Sequence, residues 1–153
     1  MYKIFTIILN WNNAEDTIEC IHSVKLSADL SSQIICVDNA SYDGSIDKIA
    51  SEHPDIIILK TDSNLGYAGG NNFGIKKAIE LGATHIWILN NDTIVEQNCM
   101  KNLLKPFLRD AKTALTGSKI YFYDKKEEIW FAGGIYYPFR GVTSHYLENQ
   151  AAE

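Results

Sequence analysis

The chain has 153 residues, 46% of them hydrophobic and 22% charged, with a formal net charge of −5 at pH 7. This is ordinary for one soluble globular domain, long enough to bury a core without staples. The acidic balance argues against a nucleic-acid partner, which would need a clustered basic face, and no stretch approaches the ~18 apolar residues of a transmembrane helix.

Lys3 to Leu9 is β-branched, aromatic and apolar, a first buried strand that stops at the polar cluster Asn10-Trp11-Asn12-Asn13. Asn13 can cap a helix from about Ala14 to Ser27, with Asp16 in its first turn and Ile18, Cys20, Ile21 and Val24 on one face. A loop from Leu26 to Ser32 leads to a second strand, Gln33 to Val37, which ends in Asp38-Asn39-Ala40-Ser41-Tyr42-Asp43-Gly44-Ser45. Ser41 or Asp43 can cap a short helix through about Ser51, closed by Pro54. Asp55 to Lys60 is a third strand.

The loop that follows, 62–74, holds four glycines between Gly66 and Gly74, so its backbone could pass close to a ligand. A helix is expected from about Gly70 to Leu81, stopped by Gly82. The run Ile86 to Leu89 then reads as a strand, 85–90, buried on both faces. It turns abruptly polar at Asn90-Asn91-Asp92-Thr93, residues that also suit a plain turn with a helix cap. A helix from about Glu96 to Arg109 is interrupted or kinked at Pro106.

Four strand–helix repeats predict a mostly parallel sheet with helices on its faces. Beyond it, Ala114–Gly117, Lys119–Tyr123 and Ile129–Phe131 read as short strands around the charged turn Asp124–Glu128, and 133–153 shows no clear period. The expected division is therefore an α/β part over 1–123 and a second region over 124–153, loosely ordered if nothing covers it. Cys20 and Cys36 fall inside apolar patterns and are expected to be small buried hydrophobes, while the odd count with Cys99 offers no zinc spacing.

Polar strand ends at 10–13, 38–41 and 90–92 share one sheet edge, where open α/β sheets bind ligands. Asp38 or Asn39 could hydrogen-bond a base edge, and Asp92 offers a hard oxygen for a divalent cation bridging a diphosphate. The glycine pattern matches neither GxGxxG nor GxxxxGK[ST], and no serine sits in a GxSxG elbow. A nucleotidyltransferase is disfavoured, because the loop after the first strand lacks glycine and arginine.

Four motifs in order, Ile7-Ile8-Leu9-Asn10-Trp11-Asn12, Val37 to Ser45, Asn64 to Ile75, and Leu89-Asn90-Asn91-Asp92, resemble the inverting family 2 glycosyltransferases over about the first 120 residues, closest to a rhamnosyltransferase-like branch. The resemblance implies a GT-A fold, a Rossmann-like sandwich. It also implies a nucleotide-diphosphate-sugar donor, a saccharide or lipid-linked acceptor, and a divalent metal, Mg or Mn. By position, Leu9, Asn10 and Trp11 would line the nucleotide entrance, Asp38 and Asn39 would meet the base, and Gly70 and Asn72 would lie beside the donor. Asn90-Asn91-Asp92 would stand for the DxD motif, with Asp92 on the metal and Asn90 bringing no charge.

No match to the family's catalytic base is present, so the chain reads as a donor-binding part lacking that base, with the acceptor region beginning near Phe131–Gly134 and His145. The alternative from another class is a non-catalytic nucleotide-binding or interaction module. Its contact would be the aromatics Trp130, Tyr136, Tyr137 and Phe139, through which copies could self-associate. The amino terminus enters a strand without a leader, so a cytoplasmic location is expected, with peripheral contact at the inner membrane face left open.

Overall fold

The structure is a computed structural model that describes residues 2–27 and 32–145, the side chain of residue 145 excepted. Part of the 26–32 loop and all of 146–153 lie outside the described residues. Two compact units divide the chain, residues 1–100 and 101–153.

The first unit alternates β1 (Ile4–Asn10), α1 (Ala14–Leu26), β2 (Gln33–Asp38), α2 (Ser45–Glu52), β3 (Ile57–Lys60), α3 (Gly66–Glu80) and β4 (His85–Asn90). All strand pairs are parallel, in the order β3-β2-β1-β4. Side-chain alternation divides the core in two. Ile8, Ile34 and Cys36 meet Cys20, Ile21 and Val24 of α1 and Ile49 of α2. Phe5, Ile7, Ile35 and Val37 meet Ala78 and Ile75 of α3 on the opposite face. Helices thus cover both faces, as the strand–helix alternation predicts.

Strand order explains which runs are buried. β1 and β2 are central and almost wholly buried. β4 is the outer strand of this sheet, with Trp87 half-buried and Ile88 exposed, so the reading of 86–89 as buried on both faces is corrected. A short apolar run does not distinguish a central strand from an outer one; pairing decides it.

Two helix starts also move. α1 is capped as expected, Asn13 accepting from the Asp16 amide. α2 instead begins after Gly44, whose φ of +79° only glycine adopts freely, while Asp43 accepts from the Ser45 amide. α3 begins at Gly66, four residues before the expected start.

The second unit contains most of α4 (Cys99–Arg109), which continues through Pro106. β5 (Ile120–Tyr121) pairs antiparallel with β6 (Ile129–Phe131). β5 is shorter than expected because the ladder is bulged between Ile120 and Tyr121, and 114–117 has no regular structure. β7 (Gly134–Tyr137) and β8 (Val142–His145) form a hairpin where no period was legible. Its turn is a local device: Pro138 opens it, the amides of Arg140 and Gly141 both donate to the Tyr137 carbonyl, and Gly141 adopts φ +62°. Trp130, Tyr136, Tyr137 and Phe139 are exposed, as expected.

Candidate functional site

The β1/β2 register sets Asn10 opposite Asp38, and the β1/β4 register sets Leu9 opposite Asn90. Three polar strand ends therefore finish at one level. Between β1 and β4 the connection reverses direction across the sheet, the switch point where ligands of open α/β folds bind.

Asn10 is fully buried, and its side chain is committed to the protein. Its Nδ2 donates toward Asp38 Oδ1 at 3.1 Å, Ser45 Oγ at 2.9 Å and Ser41 Oγ at 3.2 Å. Its Oδ1 accepts from Thr17 Oγ1 at 2.9 Å. Asp38 is also buried, and its Oδ2 accepts from the Ser41 amide. Asn39 stitches the edge to the next loop: Oδ1 accepts from the Leu65 amide, and Nδ2 donates to Asn64 Oδ1. Asn64 Oδ1 in turn accepts from the Gly66 amide, so two side chains bind the amino end of α3.

The β4 end differs in kind. Asn90 and Asp92 are exposed and Asn91 is half-buried. Asn91 Nδ2 donates to Thr17 Oγ1 at 3.0 Å. The Asn90 carbonyl accepts from Thr93 Oγ1 and from the Cys20 thiol, and Thr93 thereby closes the turn. The expected turn is therefore present, and Asp92 within it is exposed. Burial pushes the Cys20 thiol up to about 11 and the Cys36 thiol up to about 12, which keeps both neutral.

Among the described residues no cluster of three His, Cys, Asp or Glu converges to hold a metal. Asp92 still fits a hard divalent cation. Mg²⁺-type sites commonly take one or two carboxylates, substrate phosphates and water, not a full protein cage, and Asp92 is an exposed carboxylate at the switch point.

Gly70 and Gly74 seat α3 on the sheet. A Cβ at Gly70 would meet Leu9 Cδ1 at 2.4 Å, and one at Gly74 would meet Ile7 and Val37 Cγ2 at 2.7 and 2.8 Å. Gly70, Gly74 and Ala78 recur every four residues and let the helix lie close on β1 and β2. Asn72 lies about 200° around the helix from Gly70 and is exposed. Its neighbour Asn71 is buried, Nδ2 donating to the Tyr67 carbonyl while Oδ1 has no partner among the described residues.

Of the expected residues, Asn10, Asp38 and Asn91 share one hydrogen-bond network. Leu9 lies under Gly70, Trp11 stands exposed at the rim, and Asn39 joins the α3 side. Thr17 was not singled out from the sequence, Ser41 was given only a capping role, and Ser45 and Asn64 were named only as motif members. Thr17 had a usable signal, a polar residue at helical spacing on an otherwise apolar face of α1.

A family model, glycosyl transferase family 2, matches residues 6–151. No curated protein sequence matches the chain. Among solved structures, the mannosyltransferase PcManGT from Pyrobaculum calidifontis, in complex with GDP-Man and Mn²⁺, has a TM-score of 0.62 at 19% identity and aligns with 80% of this chain and 37% of its own. S. aureus TarS 1-349 has a TM-score of 0.58 at 13% identity, with 78% of this chain and 39% of its own covered. Its complex with UDP-GlcNAc has a TM-score of 0.56 at 14% identity, with 80% and 41% covered. The chain spans about two-fifths of these structures' length. The likeness is one of fold: a GT-A-type parallel sheet with helices on both faces. With the family model covering nearly the whole chain, this protein belongs to glycosyl transferase family 2.

Proposed function

We propose that residues 1–123 bind a nucleotide-diphosphate sugar at the carboxyl edge of β1, β2 and β4, and that 124–153 begin the acceptor side. The reaction this serves is transfer of the sugar to a hydroxyl of a saccharide or lipid-linked acceptor with inversion, at the cytoplasmic face of a membrane, in the manner of a rhamnosyltransferase-like branch; no residue of this chain is assigned as its base. The observation that carries this reading is the exposed Asp92 carboxylate beside the ordered Asn10–Asp38 edge. The nucleotide-sugar complexes of PcManGT and TarS 1-349 support it.

Leu9 and the Trp11 ring form the rim of the nucleoside site, and Asp38 and Asn39 form its polar wall. Asn72 lies beside the donor, Gly70 backs the site through Leu9, and Asn90 and Asn91 frame the diphosphate. Asp92 would hold Mg or Mn, which when bound neutralises negative charge on the departing diphosphate. The acceptor oxygen forms its bond to the anomeric carbon as the carbon–phosphate oxygen bond breaks in line. The acceptor proton passes to a base, and the bonding electrons leave with the diphosphate.

Calorimetric titration with UDP, dTDP and GDP, each with and without manganese, tests the reading. One nucleotide is expected to bind in a metal-dependent way, and Asp92→Ala is expected to remove that dependence. Absence of binding by all three overturns the reading.

A further inference from the structure

α1 faces the segment after β4 with three polar side chains spaced three residues apart. Thr17 Oγ1 accepts from Asn91 Nδ2 at 3.0 Å. The Cys20 thiol donates to the Asn90 carbonyl with Sγ at 3.4 Å, and the same sulfur lies 3.9 Å from Thr93 Oγ1. Ser23 Oγ accepts from the Val95 amide at 3.0 Å. Thr17, Cys20 and Ser23 are all buried. Such spacing lies along one helix face, so a single rigid element holds successive residues of the 90–95 segment.

Thr17 does more than hold Asn91. Its one hydroxyl proton is shared between Asn10 Oδ1 at 2.9 Å and the Asn13 carbonyl at 2.6 Å. Through Asn10 the chain of bonds continues to Asp38 Oδ1. A relay buried at Thr17, Asn10 and Asp38, running Asn91 to Thr17 to Asn10 to Asp38, therefore joins the β4 end to the β2 end. Asp92 itself is exposed and sits one residue from the anchored Asn91.

We infer that Thr17 is a positioning residue, the central link of a polar clamp on α1 that holds the Asp92 turn in register with the Asn10–Asp38 edge. The inference rests on the donor-site reading for its functional consequence, but the clamp itself makes no use of a ligand. Losing the hydroxyl leaves Asn10 Oδ1 and Asn91 Nδ2 without their shared partner and frees the turn, while the Asp92 side chain itself is unchanged.

The test compares Thr17→Val, which keeps shape and loses the hydroxyl, with Thr17→Ser, which keeps the hydroxyl. Hydrogen exchange over 90–95 is read without ligand, and affinity for UDP, dTDP or GDP is read with and without manganese. Thr17→Val is expected to speed exchange over 90–95 and to weaken the manganese-dependent affinity about tenfold, the size of one lost hydrogen bond to a buried group. Thr17→Ser is expected to restore both. Unchanged exchange in Thr17→Val overturns the inference. So does an equal loss in both variants, which would mark a packing role. If the unmodified protein binds none of the nucleotides, the donor-site reading fails while the exchange comparison still decides the clamp. Should the buried valine prevent folding, Asn91→Ala, which removes the other half of the same bond, is expected to speed exchange over 90–95, and unchanged exchange there overturns the inference.

Discussion

Ala40 adopts φ +61° and Asn12 φ +52°, both just beyond strand ends at the polar edge. Asparagine tolerates this region through its own hydrogen bonds, and here Asn12 Oδ1 accepts from the Tyr42 amide. Alanine has no such compensation. It is held there because the Asn39 amide is bound to the Asn10 carbonyl and the Ser41 amide to Asp38. The strain lies where the backbone turns from β2 into the candidate site, the setting in which such strain usually persists. Ala40→Gly relieves about 1 kcal/mol and is expected to raise the melting temperature by about 2–4 °C, read by calorimetry. No change, or a fall, would mean that the left-handed geometry is not strained here. Residues with local roles, such as the Asn13 cap, were legible in the sequence. Asn10 was legible as polar and important by position, but its inward amide was not, because its partners lie 28, 31 and 35 residues away.

At the scale of elements, α3 shows how one composition admits two structural meanings. The glycines from Gly66 to Gly74 predict a pliable loop, yet the stretch is helical, and Gly70 and Gly74 seat α3 on β1 and β2. The helix starts early because Asn39 and Asn64 bind the amides that open it, and one of those side chains comes from β2's end. At Gly74 the obstructing atoms belong to Ile7 and Val37, which are stiff at χ1. Gly74→Ala is expected to cost about 1–3 kcal/mol by overpacking, less about 1 kcal/mol recovered through helix propensity, read as a lower urea midpoint. A rise in the midpoint would show that α3 can lift off the sheet at little cost. The β7–β8 hairpin was missed for a related reason. Its signal is the turn Pro138 to Gly141, and the flanking aromatics are exposed, so no buried period accompanied it.

For the whole molecule, stability at alkaline pH follows from the buried thiols. Burial pushes Cys20 to about 11 and Cys36 to about 12, above the ~8.5 of an unfolded thiol. A raised folded value means that the contribution is complete below the unfolded value and is lost as pH rises toward the folded one. Stability is therefore expected to fall between about pH 8.5 and 11, by up to about 1.4 kcal/mol per pH unit for each thiol. Cys36→Ala should flatten that slope in urea titrations at several pH values, whatever it costs in packing; an unaltered slope would exclude the thiol as its source. The strand–helix alternation, the apolar runs of β1 and β2 and the polar edge were all present in the sequence, because apolar runs and their polar stops are local features. Which strand would lie outermost, that glycines would seat a helix, and that Thr17 would join Asn91 to Asn10 were decided only by tertiary structure. Each depends on contacts between residues far apart in the chain, and local periodicity does not encode which distant partners will meet.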